Sequence, residues 1–166
     1  MVLELKIANL RVRQILVDTG SSSDIINFEC LNRLQHDPAK IENIHYPIIG
    51  FGGSVTHPVG IISLPLRMGS KKEFRKMDVL FLIVKDLTTY NVILGLPTLN
   101  RGKSVIVTHL MILKFVCDDG SVSTIHGDQQ QARDCYLTTL NPDAWGSGEA
   151  TKDVIGNKRM CGGTSL

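Results

Sequence analysis

The sequence is poor in alanine, in net charge, in paired cysteines and in long apolar runs, and each shortage excludes something. It has 5 alanines against 13 valines and 16 isoleucines. That bias disfavours a helical bundle and favours sheets, because β-branched side chains pack well on a pleated surface. The formal net charge is +2, with 20% charged residues. This lacks the basic stripe of a nucleic-acid platform, so no direct nucleic-acid binding is expected. The longest strongly apolar run, Val79 to Val84, has six residues. A bilayer-spanning helix needs about 20, so no membrane partner is expected. The start, Met-Val-Leu-Glu-Leu-Lys, has neither the basic residues nor the apolar stretch of a signal peptide, and a cytoplasmic location is expected. Of the four cysteines, Cys30, Cys117, Cys135 and Cys161, none forms a Cys-x-x-Cys pair, and the five histidines are scattered singly. No metal or other cofactor is expected, and the cysteines read as buried thiols in a reducing compartment.

What is present suits one domain of 43% hydrophobic residues followed by a tail. Leu3, Leu5 and Ile7 alternate with Glu4 and Lys6, the two-residue period of a half-buried strand. A turn at Asn9-Leu10 leads to a second strand, Val12 to Val17, which runs into Asp18. Asn27 to Leu34 reads as a short helix ended by Asp37-Pro38. The stretch 44–66 holds two extended segments around Gly50-Phe51-Gly52-Gly53, which predicts a long projecting hairpin. Met77 to Val84 reads as a strand covered on both faces. Asn91 to Gly95 is a short buried strand, and Pro97 to Asn100 a single helical turn. Strands follow at 104–107, 110–116 and 122–125, with Asp118-Asp119-Gly120 as a turn. Asp128 caps a helix to Leu140 whose stripe is Ala132, Cys135, Tyr136 and Leu140. The expected division is 1–126 for the main domain, 127–140 for a C-terminal helix and 141–166 for a disordered tail or linker.

The segment that carries chemistry is Leu16-Val17-Asp18-Thr19-Gly20-Ser21-Ser22. A carboxylate stands where an apolar strand ends in a glycine turn. Burial raises the cost of charging it and hydrogen bonds lower that cost. Thr19, Ser21 and Ser22 can donate, and Gly20 lets the backbone turn and a substrate approach. An Asp that merely starts a turn reads the same way locally. Other readings are weaker. Gly50-Phe51-Gly52-Gly53 lacks the Gly-Lys-Ser/Thr of a phosphate loop. The basic residues between Arg67 and Lys76 surround Gly69-Ser70 and read as a solvated turn. Ser21 to Ser23 lack the Gly-x-Ser-x-Gly frame of a serine nucleophile. Asp24 reads as a local cap or loop partner.

Taken in order, "LVDTGSSSDI", "IIGFGGSVTHPVGIISLPL", "YNVILGLPTLN" and "GDQQQARDCYL" resemble the retropepsin-like aspartic proteases. The likeness is greatest to the protease segment of Gag-Pol polyproteins from plant Gypsy-class LTR retrotransposons, and it covers residues 1 to about 140. It implies an all-β fold, a closed barrel with a flap hairpin, a short helix after the second glycine motif and a C-terminal helix. It implies a catalytic Asp18, Thr19 and Gly20. It implies substrate contacts from Ser21, from Phe51, Gly52 and Gly53 of the flap, and from Ile93, with Ile48 and Val55 as further walls. Two positions depart from the family: Leu96 stands where an Arg is usual, and Thr98 where a large aromatic is common.

Peptide hydrolysis of this kind needs two carboxylates, one to take a proton from water and one to give a proton to the carbonyl. The chain has one Asp-Thr-Gly. A homodimer would bring two copies of Asp18 to its two-fold axis. The expected activity is therefore that of an aspartic endopeptidase acting on polyprotein peptide bonds. The alternative is an inactive or domesticated domain that works by dimerisation or peptide binding. Asp18, Thr19 and Gly20 favour the first reading and Leu96 the second.

Overall fold

A computed structural model of the chain describes residues 1–50, 53–85, 87 and 89–140. The predicted first hairpin is β1 (Val2–Ile7) paired with β2 (Leu10–Val17). Its register slips so that Arg13 and Gln14 stand opposite Glu4 alone, and Gln14 takes a φ of 55° at this bulge. The bulge sharpens the twist of β2 just before it reaches Asp18. β3 (Asp24–Asn27) then runs into α1 (Phe28–Arg33). Asn27 caps that helix by accepting the Glu29 N–H at 2.9 Å.

The middle of the chain corrects the expected hairpin. It divides into β4 (Ile48–Ile49), β5 (Val55–Thr56) and β6 (Gly60–Gly69), and only β4 and β5 form the small projecting hairpin. β6 instead pairs along its length with β7 (Phe74–Val84). The cause lies at Gly60, where Glu42 crosses and exchanges both backbone bonds with Ile61, at 3.0 and 2.8 Å. A Cβ on Gly60 would stand 2.7 Å from the Glu42 carbonyl oxygen, so only glycine allows that crossing. β7 also departs from expectation, because its burial alternates. Val79, Phe81 and Ile83 point inward, while Leu80 is 57% exposed.

β8 (Val92–Leu94), α2 (Leu96–Arg101), β9 (Val105–Val107), β10 (Ile112–Val116), β11 (Val122–His126) and α3 (Gln129–Leu140) complete the elements. Six strands close a barrel in the order β1-β2-β8-β3-β7-β6, and β11-β10-β9 form a second sheet. The β2–β8 and β3–β7 pairs are parallel, the others antiparallel. Closure leaves the barrel without an open edge. Leu3, Ile7, Ile15, Ile26, Ile62, Leu66, Phe81, Ile83 and Leu94 fill it and are essentially inaccessible. Each such side chain contributes about 1.5–3 kcal/mol of hydrophobic stabilisation. The mostly-β closed barrel is the predicted fold class.

α3 starts as the Asp128 cap predicts, with Oδ1 accepting the Gln131 N–H at 2.9 Å. It docks on the β2 bulge, where the Gln131 side chain accepts the Gln14 N–H at 3.0 Å. Of its expected stripe, Cys135 is buried and Ala132 half-buried, but Tyr136 is 62% exposed. The Gln131–Gln14 bond and the buried Cys135 therefore hold this helix, and the Leu140 side chain lies outside the described residues. Cys30, Cys117 and Cys135 are buried. The expected tail, 141–166, lies outside the described residues. Among the described residues no helix is long and apolar enough to cross a membrane.

Candidate active site

Asp18 is positioned by the parallel pairing of β2 with β8. Ile15, Leu16 and Val17 stand opposite Val92, Ile93 and Leu94, and the ladder ends as the Asp18 N–H donates to the Leu94 carbonyl at 3.0 Å. The chain then turns on itself. Gly20 N–H donates to Asp18 Oδ1 at 2.8 Å, and Ser21 N–H to the Asp18 carbonyl at 3.3 Å. A Cβ on Gly20 would lie 3.2 Å from that same Oδ1, so the glycine keeps space beside the carboxylate. Asp18 is half-buried, and Thr19 and Gly20 are exposed. The carboxylate is thus held by its own loop and remains accessible.

The far side of the loop is clamped to residues 95–98. Leu96 N–H donates to the Ser21 carbonyl at 2.9 Å. Asp24, only 3% exposed, accepts the Gly95 N–H on Oδ1 at 2.7 Å and the Thr98 hydroxyl on Oδ2 at 2.9 Å. Burial pushes the Asp24 carboxyl above its ordinary value, against the bonds from Gly95 and Thr98 and the nearby Arg101 guanidinium. Gly95 is required by contact. A Cβ there would meet the Ser23 and Ser21 carbonyl oxygens at 2.5 and 2.7 Å. Sequence reasoning made Asp24 a local partner, whereas its bonds span 71 and 74 residues. The missed signal was Thr98, read only as a departure from a family pattern.

Ile93 is half-buried between two cross-strand neighbours of like exposure, Leu16 on β2 and Ile25 on β3. Strand side chains repeat every second residue, so Leu16 lies on the same side of β2 as Asp18. The three make an apolar row running from the carboxylate across the sheet. Leu16 and Ile25 were not singled out from sequence, because each sits in an apolar run that reads as core. Ile48 and Val55 fall on opposite faces of their hairpin, because Ile48 pairs with Thr56 and Val55 with Ile49. Ile49 and Val55 form the exposed pair, 72% and 56% accessible. Only one of the two expected walls can therefore face a given side. The hairpin tip closes through Gly50 N–H to the Ser54 carbonyl at 2.8 Å, and Gly53 takes a φ of 79°. Phe51 and Gly52 lie outside the described residues. Ser21 turns its hydroxyl to the Ser23 carbonyl at 2.6 Å, which bends the loop rather than leaving that hydrogen for a ligand.

A recess of 260 Å³ opens beside the loop. Ser22, Ser23, Asp24, Thr98 and Arg101 give it a polar side, and Tyr46, Ile61, Leu80, Leu82 and Pro97 the remainder. Arg101 is fixed there by a bond from Nη1 to the Asp78 carbonyl at 2.5 Å. Among the described residues no group of three or more His, Cys, Asp or Glu side chains could hold a metal.

The barrel is similar to that of the retroviral protease-like domain of Ddi1 from Leishmania major. The TM-score is 0.55 at 18% identity, over 78% of this chain and 96% of that one. The two share the retropepsin-like fold. No protein-family model matches the chain, and no curated protein matches it in sequence.

Proposed function

We propose that the protein is an aspartic endopeptidase whose site is completed by a second copy of the chain. The observation that carries this reading is an accessible carboxylate, Asp18, at the end of a buried parallel strand pair, in a barrel of retropepsin-like fold. The sequence holds one Asp-Thr-Gly, and neither Asp24 nor Asp119 serves as the second carboxylate. Asp24 has donors on both oxygens and is buried. Asp119 sits on a hairpin turn and accepts from Ser121. A two-fold pairing would set Asp18 against its copy. Two carboxylates so close share one proton, because both cannot ionise cheaply. The charged one takes a proton from water. The protonated one gives a proton to the peptide carbonyl as the water oxygen attacks the carbon.

The substrate is an extended polypeptide held as an added strand between the loop and the β4–β5 hairpin. The row Leu16, Ile93 and Ile25 provides apolar walls, Gly53 belongs to the covering hairpin, and Thr19 and Gly20 flank the water. The resemblance to the Gypsy-class segment supports a Gag-Pol polyprotein as that substrate, and the absence of a required metal or organic cofactor follows from the same chemistry. Leu96, 41% exposed where the family has Arg, favours a second reading, an inactive domain that dimerises or binds peptide. Cleavage of a Gag-Pol fragment separates the two. Activity should rise with the square of protein concentration in the dilute range, and adding Asp18→Asn protein should suppress it through mixed dimers. Undiminished cleavage by pure Asp18→Asn protein would exclude the aspartic mechanism.

A further inference from the structure

We propose that Asp24 is a positioning residue of the Asp18 site, a helix cap lent by β3 to α2 that fixes the distal end of the Asp18 loop. The inference rests on the reading of Asp18 as the reacting carboxylate. A helix start leaves its first N–H groups without intrahelical partners. Gly95, the cap position of α2, has no side chain to take them. Pro97 has no N–H to offer. Two of the remaining donors go to the loop, Gly95 N–H to Asp24 Oδ1 and Leu96 N–H to the Ser21 carbonyl, and the Thr98 hydroxyl adds a bond to Asp24 Oδ2. At the loop's other end Asp18 N–H is held by Leu94. Residues 94–98 are thus a template on which 18–24 lies, and Asp24 makes most of its distal contacts.

The pairing with Thr98 has a consequence for pH. A hydroxyl can donate to a carboxylate or accept from a carboxylic acid. Protonating Asp24 therefore reverses the Thr98 bond without breaking it, and the Gly95 N–H keeps its acceptor on Oδ1. The titratable and charged groups facing Asp24 across the recess are Arg101 from α2 and Tyr46 from the segment before β4. Among the described residues, β6 and β7 present only Ile61, Leu80 and Leu82 to it, and the loop only Ser22 and Ser23. No carboxylate or imidazole in that set would titrate with Asp24. The loop therefore keeps its position on both sides of the Asp24 titration, as acid-side carboxylate chemistry would need.

Amide hydrogen exchange tests this without relying on activity. In Asp24→Ala the amides of residues 18–23 should exchange at least about tenfold faster, the shift expected when a buried N–H loses its acceptor, with those of residues 112–126 changing under about threefold. Asp24→Asn should restore the loop to within about threefold, since its Oδ1 accepts from Gly95 and its Nδ2 donates to the Thr98 hydroxyl oxygen. If Asp24→Ala does not fold, Thr98→Val carries the test, with about threefold faster exchange confined to the loop. On a peptide substrate the Ala variant should lose kcat with little change in KM, and the Asn variant should keep the wild-type pH profile. Loop exchange unchanged in Ala, an equal rise across the chain, or no rescue by Asn would overturn the proposal. A wild-type protein that cleaves nothing would sink the protease reading alone, because the exchange contrast still decides the role of Asp24.

Discussion

Gly95→Ala should damage the fold even though its backbone suits alanine. Gly95 has φ −95° and ψ −170°, an extended conformation open to any residue. On backbone entropy alone, alanine would stabilise by about 0.4–1 kcal/mol. The contact geometry opposes this. The new Cβ would stand 2.5 Å from the Ser23 carbonyl oxygen, 2.7 Å from that of Ser21 and 3.0 Å from the Ser23 carbonyl carbon. These are backbone atoms, so no side chain can swing aside. Relief requires the loop 21–24 to move off residues 95–98, which stretches the Leu96–Ser21 and Gly95–Asp24 bonds. Overpacking of this kind costs about 1–3 kcal/mol, and each weakened bond about 1 kcal/mol. Set against the entropy gain, the net loss is about 3 kcal/mol. For a domain of this size that lowers Tm by about 10 °C. Urea unfolding at a fixed protein concentration, with the slope m unchanged, measures it. A Gly95→Ala protein as stable as wild type would refute the claim that glycine is required here by contact.

Gly20→Ala should separate function from fold. Its Cβ would lie 3.2 Å from Asp18 Oδ1, so the carboxylate shifts by a few tenths of an ångström. Peptide cleavage should drop about tenfold or more while urea stability stays within about 1 kcal/mol of wild type. Asn27→Ala removes the acceptor for the Glu29 N–H and the donor to the Leu87 carbonyl, and the urea midpoint should report a loss of about 1–2 kcal/mol. Asp24→Asn should alter the pH dependence of stability. Asp24 is raised above 3.8 in the folded state, so its contribution is full below 3.8 and is lost as pH rises through the folded value. The stability of the Asn variant relative to wild type should therefore improve from acid to neutral pH, and a pH-independent difference would contradict the assignment. Leu96→Arg should strengthen the dimer, because a guanidinium beside the Ser21 carbonyl could form a fork of charge-assisted bonds. Sedimentation showing an unchanged or weaker dimer would count against it.

The sequence makes local features legible and hides the ones that depend on crossing. Leu3, Leu5 and Ile7 announce a strand because their alternation is complete within one segment. Asn27 and Asp128 announce helix starts for the same reason. Leu80 does not announce its exposure. It sits in the run Val79 to Val84, where six apolar residues hide the period, and only the pairing of β7 with β6 and β3 decides which face is covered. Gly60 is similar. It looks like one more turn residue near Pro58, but its cause is the Glu42 backbone arriving from outside the hairpin. A one-dimensional reading joined β5 to β6 because nothing in the residues 55–66 names that visitor.

The same distinction governs the site. Asp-Thr-Gly was legible because the Asp18–Gly20 turn is closed within three residues, by a bond from Gly20 N–H to Asp18 Oδ1. What fixes that turn in space was not legible. Asp24 is six residues beyond Asp18, and Thr98 is a further 74 along the chain. A carboxylate near a turn is ordinarily a local cap, so proximity in sequence pointed to the wrong partner. Burial is what reverses the reading. A carboxyl 3% exposed must find donors for both oxygens or carry a large desolvation cost, and its own segment offers it none. The donors therefore had to come from another element. The free first turn of α2, left uncapped by Gly95 and without an N–H at Pro97, is where the closed barrel brings them. Loop and helix start each lack what the other supplies, and that mutual deficit sets where Asp18 stands.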